Sequence, residues 1–462
     1  MQKIKNMSSS NWPKIRKFFN DIHLWGGLIS GIVVLIVCLT GTIYTYNTEL
    51  REAAIPQYYK VAPEGDKQNV DTLIKQAKTS IKGEIVGVKV PFNTDKTIFA
   101  LYSKARKEEG ESEKKAGPKK IEVNTGASEA KLAKGDEPAS KGKDTNKVGE
   151  AASAGAGKEK KAAPAAGGRG PRANQMAINP YTGQVIGDPS DEKTKTAALM
   201  QTMFGLHRWL LLNEVEKPII EGVENRKLGS WITGTATLLF LLGVISGMII
   251  WFPAKMRGWK NGLKIKWSAR WKRINHDLHN TLGLYSCIIL FLMSVTGPFW
   301  SFEWYRAGWQ KTWGTYKSPD APKEDKPAFV SVMPTDGKEP LTIEETILIV
   351  NKLLPYDGDI TVNFAKDSVG TVSVSKNRVG FFAPSAGDKL TLDQYSGTVL
   401  EKDIFRDKPF NERASASIKA LHIGDIYGPF SKLLYFIACL IATSLPVTGT
   451  MIWINKMKKN KK

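Results

Sequence analysis

The sequence is poor in the residues that build most metal and redox sites, with three cysteines and five histidines in 462 residues. Cys38, Cys287 and Cys439 all fall inside long apolar runs. The segments between those runs therefore carry neither a disulfide framework nor a thiol-based zinc site, and each cysteine is expected to serve as a small apolar residue. Histidine is absent from 50–200 and from 303–410. No GxGxxG stretch closes a strand and opens a helix, so a nucleotide cofactor has no seat of its own. Aromatic residues are missing between Tyr102 and Tyr181, where Lys, Glu, Ala and Gly dominate. Such composition cannot bury enough apolar area to offset its ordering entropy, and 103–172 is expected to be a disordered insertion. Acidic residues are missing from 1–20 and 253–275.

What the chain does have is four long apolar runs, at roughly 24–46, 229–252, 280–302 and 432–454. Each exceeds the roughly 20 residues that cross a bilayer as a helix. A purely soluble protein is excluded. The formal charge of +21 concentrates where acids are missing. Lys3, Lys5, Lys14, Arg16 and Lys17 precede the first run, and eight Lys and Arg occupy the middle loop 253–275. Five lysines fill the tail 455–462. Short basic loops stay in the cytoplasm. The charge is thus a topology signal, and nucleic acid loses its main support as a partner. The first run has too long an apolar core for a cleaved signal peptide and reads as a retained anchor. The expected order is a cytoplasmic segment 1–23, spans at 24–46, 229–252, 276–302 and 432–454, and exported parts at 47–200 and 303–415. Outer-face segments 201–228 and 416–431 lead into the second and fourth spans.

The chain reads as a duplication. Asp21, His23, Gly27, Leu28, Ser30, Thr40 and Gly41 recur without a gap as Asp277, His279, Gly283, Leu284, Ser286, Thr296 and Gly297. Leu206-His207 before Ser246-Gly247-Met-Ile-Ile-Trp251 matches Leu421-His422 before Thr448-Gly449-Thr-Met-Ile-Trp453. Two copies of span–exported part–span, in the same orientation, imply a pseudo-twofold axis along the membrane normal. The exported parts also correspond. A helical stretch at 69–82 precedes strand-like runs at 84–91 and 97–102, and one at 342–354 precedes runs at 359–364 and 370–375. Each part then has a hairpin turn, Asn179-Pro-Tyr-Thr-Gly183 or Asp393-Gln-Tyr-Ser-Gly397. Each is expected to form a small α+β module.

The five histidines, His23, His207, His276, His279 and His422, all lie at or near span ends. Ionisable residues there are costly, and function is their default explanation. Repeat symmetry pairs His23 with His279 on the inner side and His207 with His422 on the outer side. Two imidazoles from different helices suit the axial positions of a b-type haem. Gly27 and Gly283, each four residues after a histidine, make room for a flat porphyrin. Gly41, Gly247, Gly297 and Gly449 either open space for rings or let helices approach closely. His276 has no repeat partner and is either an alternative inner ligand or a loop-end, propionate-side residue. Asp21 and Asp277 read as helix N-caps. Trp25, Trp209, Trp251, Trp300, Trp304 and Trp453 read as an interfacial belt. Arg208, Arg413, Lys419 and Tyr427 flank the outer histidines and read as solvated surface.

In this ordered combination the chain resembles the PepSY-associated transmembrane proteins. The resemblance rests on Asp21–Gly27 with Thr40-Gly41, Leu206-His207-Arg208-Trp209, Ser246–Trp251, Leu278-His279, Thr296-Gly297, Leu421-His422, Thr448–Trp453 and the turn at 179–183. It covers nearly all of the chain outside the insertion. It implies an α-helical membrane protein of four transmembrane helices, arranged as two parallel span–PepSY–span repeats with two small α+β periplasmic PepSY domains. Members of the family include inner-membrane di-haem reductases that release iron from ferric siderophores. By resemblance, two b-type haems would be held, the inner one by His23 and His279 and the outer one by His207 and His422. A periplasmic ferric siderophore or similar chelate would be the substrate, with a quinol or separate reductase as electron donor. Two other classes stand beside this. A metal- or proton-coupled transporter would use Asp21, His23, Asp277 and His279 as a cation site. A PepSY-based binding or regulatory protein would use the spans only as anchors, without haem.

Overall fold

The computed structural model describes residues 12–104, 173–252, 256–318, 329–380, 382–384 and 386–460. The expected insertion lies, from residue 105 onward, outside the described residues. Four helices are long and apolar enough to cross a membrane: α1 (Trp12–Tyr44), α5 (Asn225–Trp251), α6 (Trp271–Thr296) and α11 (Gly428–Asn460). Three short helices lie between the first two: α2 (Asn47–Ala54), α3 (Val70–Ser80) and α4 (Lys195–Trp209). The four long helices form a closed ring, α1 against α5 and α11, and α6 against α5 and α11. The seam is filled by Leu290, Ala438 and Ala442, with Cys38, Phe240, Val244, Met293 and Leu445 packed on them.

The helices overrun the expected span ends. The first begins at Trp12, so Asp21 sits inside it and is exposed. The third begins at Trp271, which puts Asp277 in its second turn. Neither aspartate is the expected N-cap. Asp277 is buried and accepts from Arg273 Nε at 2.7 Å and from the Lys266 backbone N–H at 3.3 Å. It thereby fastens the loop between α5 and α6 to the start of α6.

The remaining described elements are β1 (Gly83–Val90), β2 (Ile98–Lys104), β3 (Asn174–Ile178) and β4 (Val185–Gly187) in the first half of the chain. In the second half α7 (Glu303–Thr312) and α8 (Ile343–Leu353) precede β5 (Gly358–Asn363), β6 (Thr371–Arg378), β7 (Asp388–Asp393) and β8 (Val399–Asp403). Short helices α9 (Phe410–Ala416) and α10 (Ile418–Ile423) then lead into α11. Two separate modules were expected. Instead the strands form one antiparallel sheet in the order β4-β3-β2-β1-β5-β6-β7-β8. The halves join where β1 pairs with β5, with Val88 opposite Val362. Alternate strand residues Val88, Ala100, Ile178, Ile360, Val362, Val374 and Leu390 bury against Leu73, Ile74 and Ala77 of α3 and Ile347 and Val350 of α8.

The two halves mirror one another in detail. Asn179 and Asp393 each accept from the backbone N–H groups two and three residues on, and Gly183 and Gly397 close the turns at φ +74° and +71°. The helices α3 and α8 cap each other. The Asp71 carboxylate accepts from the N–H groups of Ile343 (2.8 Å) and Glu344 (3.1 Å), and Glu344 accepts from Val70 N–H at 3.3 Å. Acidic side chains at helix N-termini satisfy donors that have no partner within the helix.

The seam carries a testable constraint. A Cβ at Gly87 would collide with the Val362 carbonyl. Gly87→Val is expected to force the central strands apart, costing about 1–3 kcal/mol as overpacking does. Thermal unfolding would show a lower Tm, whereas Gly308→Val, on an open face of α7 with an ordinary helical φ, would meet no crowding and not reproduce the loss. An unchanged Tm for Gly87→Val would contradict the seam.

Candidate functional site

The structure brings four of the five histidines together in two pairs. The rings of His23 (α1) and His279 (α6) face each other with centroids 6.0 Å apart and planes at 85°. Those of His207 (α4) and His422 (α10) lie 6.3 Å apart at 61°. A metal ion bonded to two imidazole nitrogens at about 2.0–2.1 Å places the ring centroids about 6 Å apart, so both spacings suit a shared ion. His276 is exposed and turns to Asp277, with Nδ1 3.6 Å from its carboxylate. It borders the same cavity as His23 and His279, but the ring paired with His23 is that of His279.

Each ring is seated on a neighbouring long helix by the same device. The Nδ1 of His23 lies 2.9 Å from the Gly243 carbonyl and 3.2 Å from Ser246 Oγ. The Nδ1 of His279 lies 2.9 Å from Thr448 Oγ1. That of His207 lies 2.9 Å from the Val37 carbonyl. That of His422 lies 3.0 Å from Thr296 Oγ1 and 3.2 Å from the Met293 carbonyl. The hydroxyls of Ser246, Thr448 and Thr296 already donate to carbonyls of their own helices, at 2.6, 3.0 and 2.7 Å. They can only accept from the imidazole, as the carbonyls must. Every Nδ1 is therefore the N–H, and every Nε2 carries the lone pair a metal needs.

The glycine after each Ser or Thr completes the seat. A Cβ at Gly247 would lie 3.2 Å from His23 Cε1, one at Gly449 3.2 Å from His279 Cε1, and one at Gly41 3.1 Å from His207 Cε1. At Gly297 the nearest atoms would be Thr237 Cγ2 at 3.1 Å and His422 Cε1 at 3.6 Å. Sequence reasoning noticed the recurring Ser-Gly and Thr-Gly steps but left open what their glycines do. Each lies against a histidine from another helix, a relation that only the helix neighbours reveal.

Gly27 and Gly283 play a different part. A Cβ at Gly27 would meet no atom within 4 Å, and one at Gly283 only Leu445 Cδ2 at 3.9 Å. Both border a cavity of about 320 Å³ among the four long helices, which also takes in His23 and His279. That size falls in the range of about 300–1,000 Å³ typical of small-molecule pockets. Its wall is mostly apolar, while Asn20, His276, Asn280 and Lys456 line it toward the basic ends of the helices. The wall and the paired lone-pair nitrogens fit a flat, apolar macrocycle with polar substituents at one edge. At the outer pair, Trp300 packs on His422 with ring centroids 5.1 Å apart. Among the described residues the buried Nε atoms of Arg208, next to His207, and of Arg413 on α9 lack a hydrogen-bond partner. Such orphaned cationic donors fit a ligand that brings carboxylates.

The two pairs sit at different depths. His207 reaches α1 at Val37, fourteen residues beyond His23, and His422 reaches α6 at Met293, fourteen beyond His279. At 1.5 Å per residue both intervals are about 21 Å. Among the described residues no three His, Cys, Asp or Glu side chains converge as they would around a bare metal ion. Asp21 is exposed and Asp277 is committed to Arg273 and the Lys266 N–H, so neither joins a histidine pair.

No curated protein matches the chain. The sequence model of the PepSY-associated TM region matches residues 21–456, taking in both histidine pairs, all four long helices and the sheet, and the chain is a multi-pass membrane protein that belongs to this family.

Proposed function

We propose that the chain is an inner-membrane di-haem b reductase that passes electrons across the bilayer to a periplasmic ferric siderophore or similar ferric chelate. The observation that carries this reading is the pair of facing imidazoles at each of two depths, every ring contributed by a different helix. Both termini and the loop 253–275 lie in the cytoplasm, because their flanks are basic and free of acid. The sheet then lies in the periplasm as two PepSY domains fused edge to edge, one from each span–PepSY–span repeat.

Haem would be held at one level by His23 and His279 and at the other by His207 and His422, and would supply reversible one-electron exchange there. The protein does the rest. Carbonyls and hydroxyls on the neighbouring helices hold each Nδ1–H, fixing the ring plane and leaving Nε2 as ligand. The apolar seam around Leu290 and Ala442 keeps water out of the interval between the pairs. With two histidines committed to each site, the ferric chelate would stay outside it and accept one electron there. The resulting Fe²⁺ suits hard oxygen ligands less well than Fe³⁺ and is released. Electrons come from a quinol or a separate reductase.

The test is an absorption spectrum of the purified protein, oxidised and then dithionite-reduced, with a pyridine haemochrome count. Two b-type haems per chain is the expected result. A protein that stays colourless after incubation with haem would overturn the reading.

A further inference from the structure

Beside the outer histidine pair lies a group of arginines that the two-haem reading does not use. Arg208 follows His207 on α4, and its Nε is buried without a hydrogen-bond partner. Its guanidinium stands 5.4 Å from the centre of the Trp209 ring, and that of Arg226, from the start of α5, stands 4.3 Å from the same ring. Among the described residues neither of these two arginines forms an ion pair with an acid. Like charges gathered around a half-buried guanidinium destabilise one another unless an anion sits among them.

The Arg-Trp step after the histidine is also one-sided. At the place that matches Arg208-Trp209 in the second half of the chain, Ile423-Gly424 follows His422. The cations are therefore not part of what both halves need to seat a histidine. They mark one edge of the outer site, and the guanidinium fork is the side chain that best matches a planar carboxylate.

We propose that Arg208 and Arg226, which share the Trp209 ring two residues from His207, form a carboxylate-binding site at the outer histidine pair. The proposal rests on the two-haem reading. The carboxylates have two possible sources, the propionates of the outer haem or the acid groups of an anionic ferric chelate, and the experiment separates them. Full-length protein produced without haem is titrated with protohaem and with its dimethyl ester, and separately with ferric citrate in a calorimeter. If propionates occupy the site, Arg208→Gln weakens uptake of the second protohaem by about tenfold, the ordinary effect of losing one charged hydrogen bond, and leaves uptake of the ester unchanged. If the chelate occupies it, Arg208→Gln leaves both haem titrations alone and weakens ferric citrate binding by a similar factor. Arg208→Lys, which keeps the charge and loses the fork, falls between wild type and Arg208→Gln in whichever titration responds. Because Arg208 is partly buried, the exposed Arg226→Gln carries the same comparison if Arg208→Gln does not fold. Arginine variants that match wild type in all three titrations overturn the proposal while the two-haem reading stands. A wild-type chain that takes up no haem overturns that reading instead, and ferric citrate binding then decides the arginine site alone.

Discussion

Replacing His422 with alanine is expected to cut bound haem to about half and to reduce ferric-chelate reduction to background, because a b-type site built on two imidazoles has lost one of them. The prediction is specific because the outer pair is isolated from the inner one. His422 touches His207, Trp300 and the Thr296 end of α6. The inner pair, about 21 Å of helix away, keeps both rings and both seats. The spectrum of His422→Ala should therefore retain one complete set of reduced b-type bands, and His23→Ala should retain the complementary set. His276→Ala should retain both, since the ring paired with His23 is that of His279. Reduction is lost in His422→Ala even with the inner haem present, because electrons then have no site from which to leave toward the sheet side. If His422→Ala reduces ferric chelate at the wild-type rate, the outer pair is not on the electron path. If His276→Ala rather than His279→Ala removes the inner bands, the ring seen facing His23 is not the ligand.

How far the sequence itself led depends on the range of the interaction concerned. The four apolar runs and the helical stretches at 70–80 and 343–353 are local patterns of hydrophobicity, and they were readable. So were the turns at Asn179–Gly183 and Asp393–Gly397, where one side chain and one glycine decide the backbone. The matching of His23 with His279, and of His207 with His422, followed from comparing the two halves of the chain, which needs no knowledge of contacts. The fusion of two modules into one sheet was hidden, because the β1–β5 pairing joins residues some 270 positions apart and both strands read as ordinary half-buried strands. The helix overruns were hidden for another reason. Residues 12–23 are basic and amphipathic, and apolarity alone ends the span where the lipid ends rather than where the helix does. The position of Asp277 followed from that error. The Ser-Gly and Thr-Gly steps were visible as repeats, but their role depends on which helix lies beside which.

Gly41→Val is expected to eject the outer haem as thoroughly as His207→Ala does, although Gly41 is no ligand. The Cβ of residue 41 would already stand 3.1 Å from His207 Cε1 and 3.3 Å from Nδ1, tighter than a relaxed contact. Valine adds two methyl groups on a carbon whose rotation the helix restricts, so they cannot all turn away from the imidazole. The ring must leave the Val37 carbonyl that fixes its Nδ1–H, and with that bond goes the direction of Nε2. Gly41→Ala tests the same contact gently. Alanine gains about 1 kcal/mol of helix propensity over glycine, which offsets part of the crowding. That variant should keep both haems, with the reduced band and midpoint potential of the outer one displaced. Gly41→Ala is thus expected to displace the outer haem's spectrum and potential and leave the inner haem's unchanged, a pattern that a merely structural glycine at a helix contact would not give. Gly247→Val and Gly449→Val should act in the same way on the inner haem, through His23 and His279. Were Gly41→Val to retain two haems with unchanged spectra, the glycine seats would be close-packing positions only, and the histidine orientation would have to come from the Nδ1 hydrogen bonds alone.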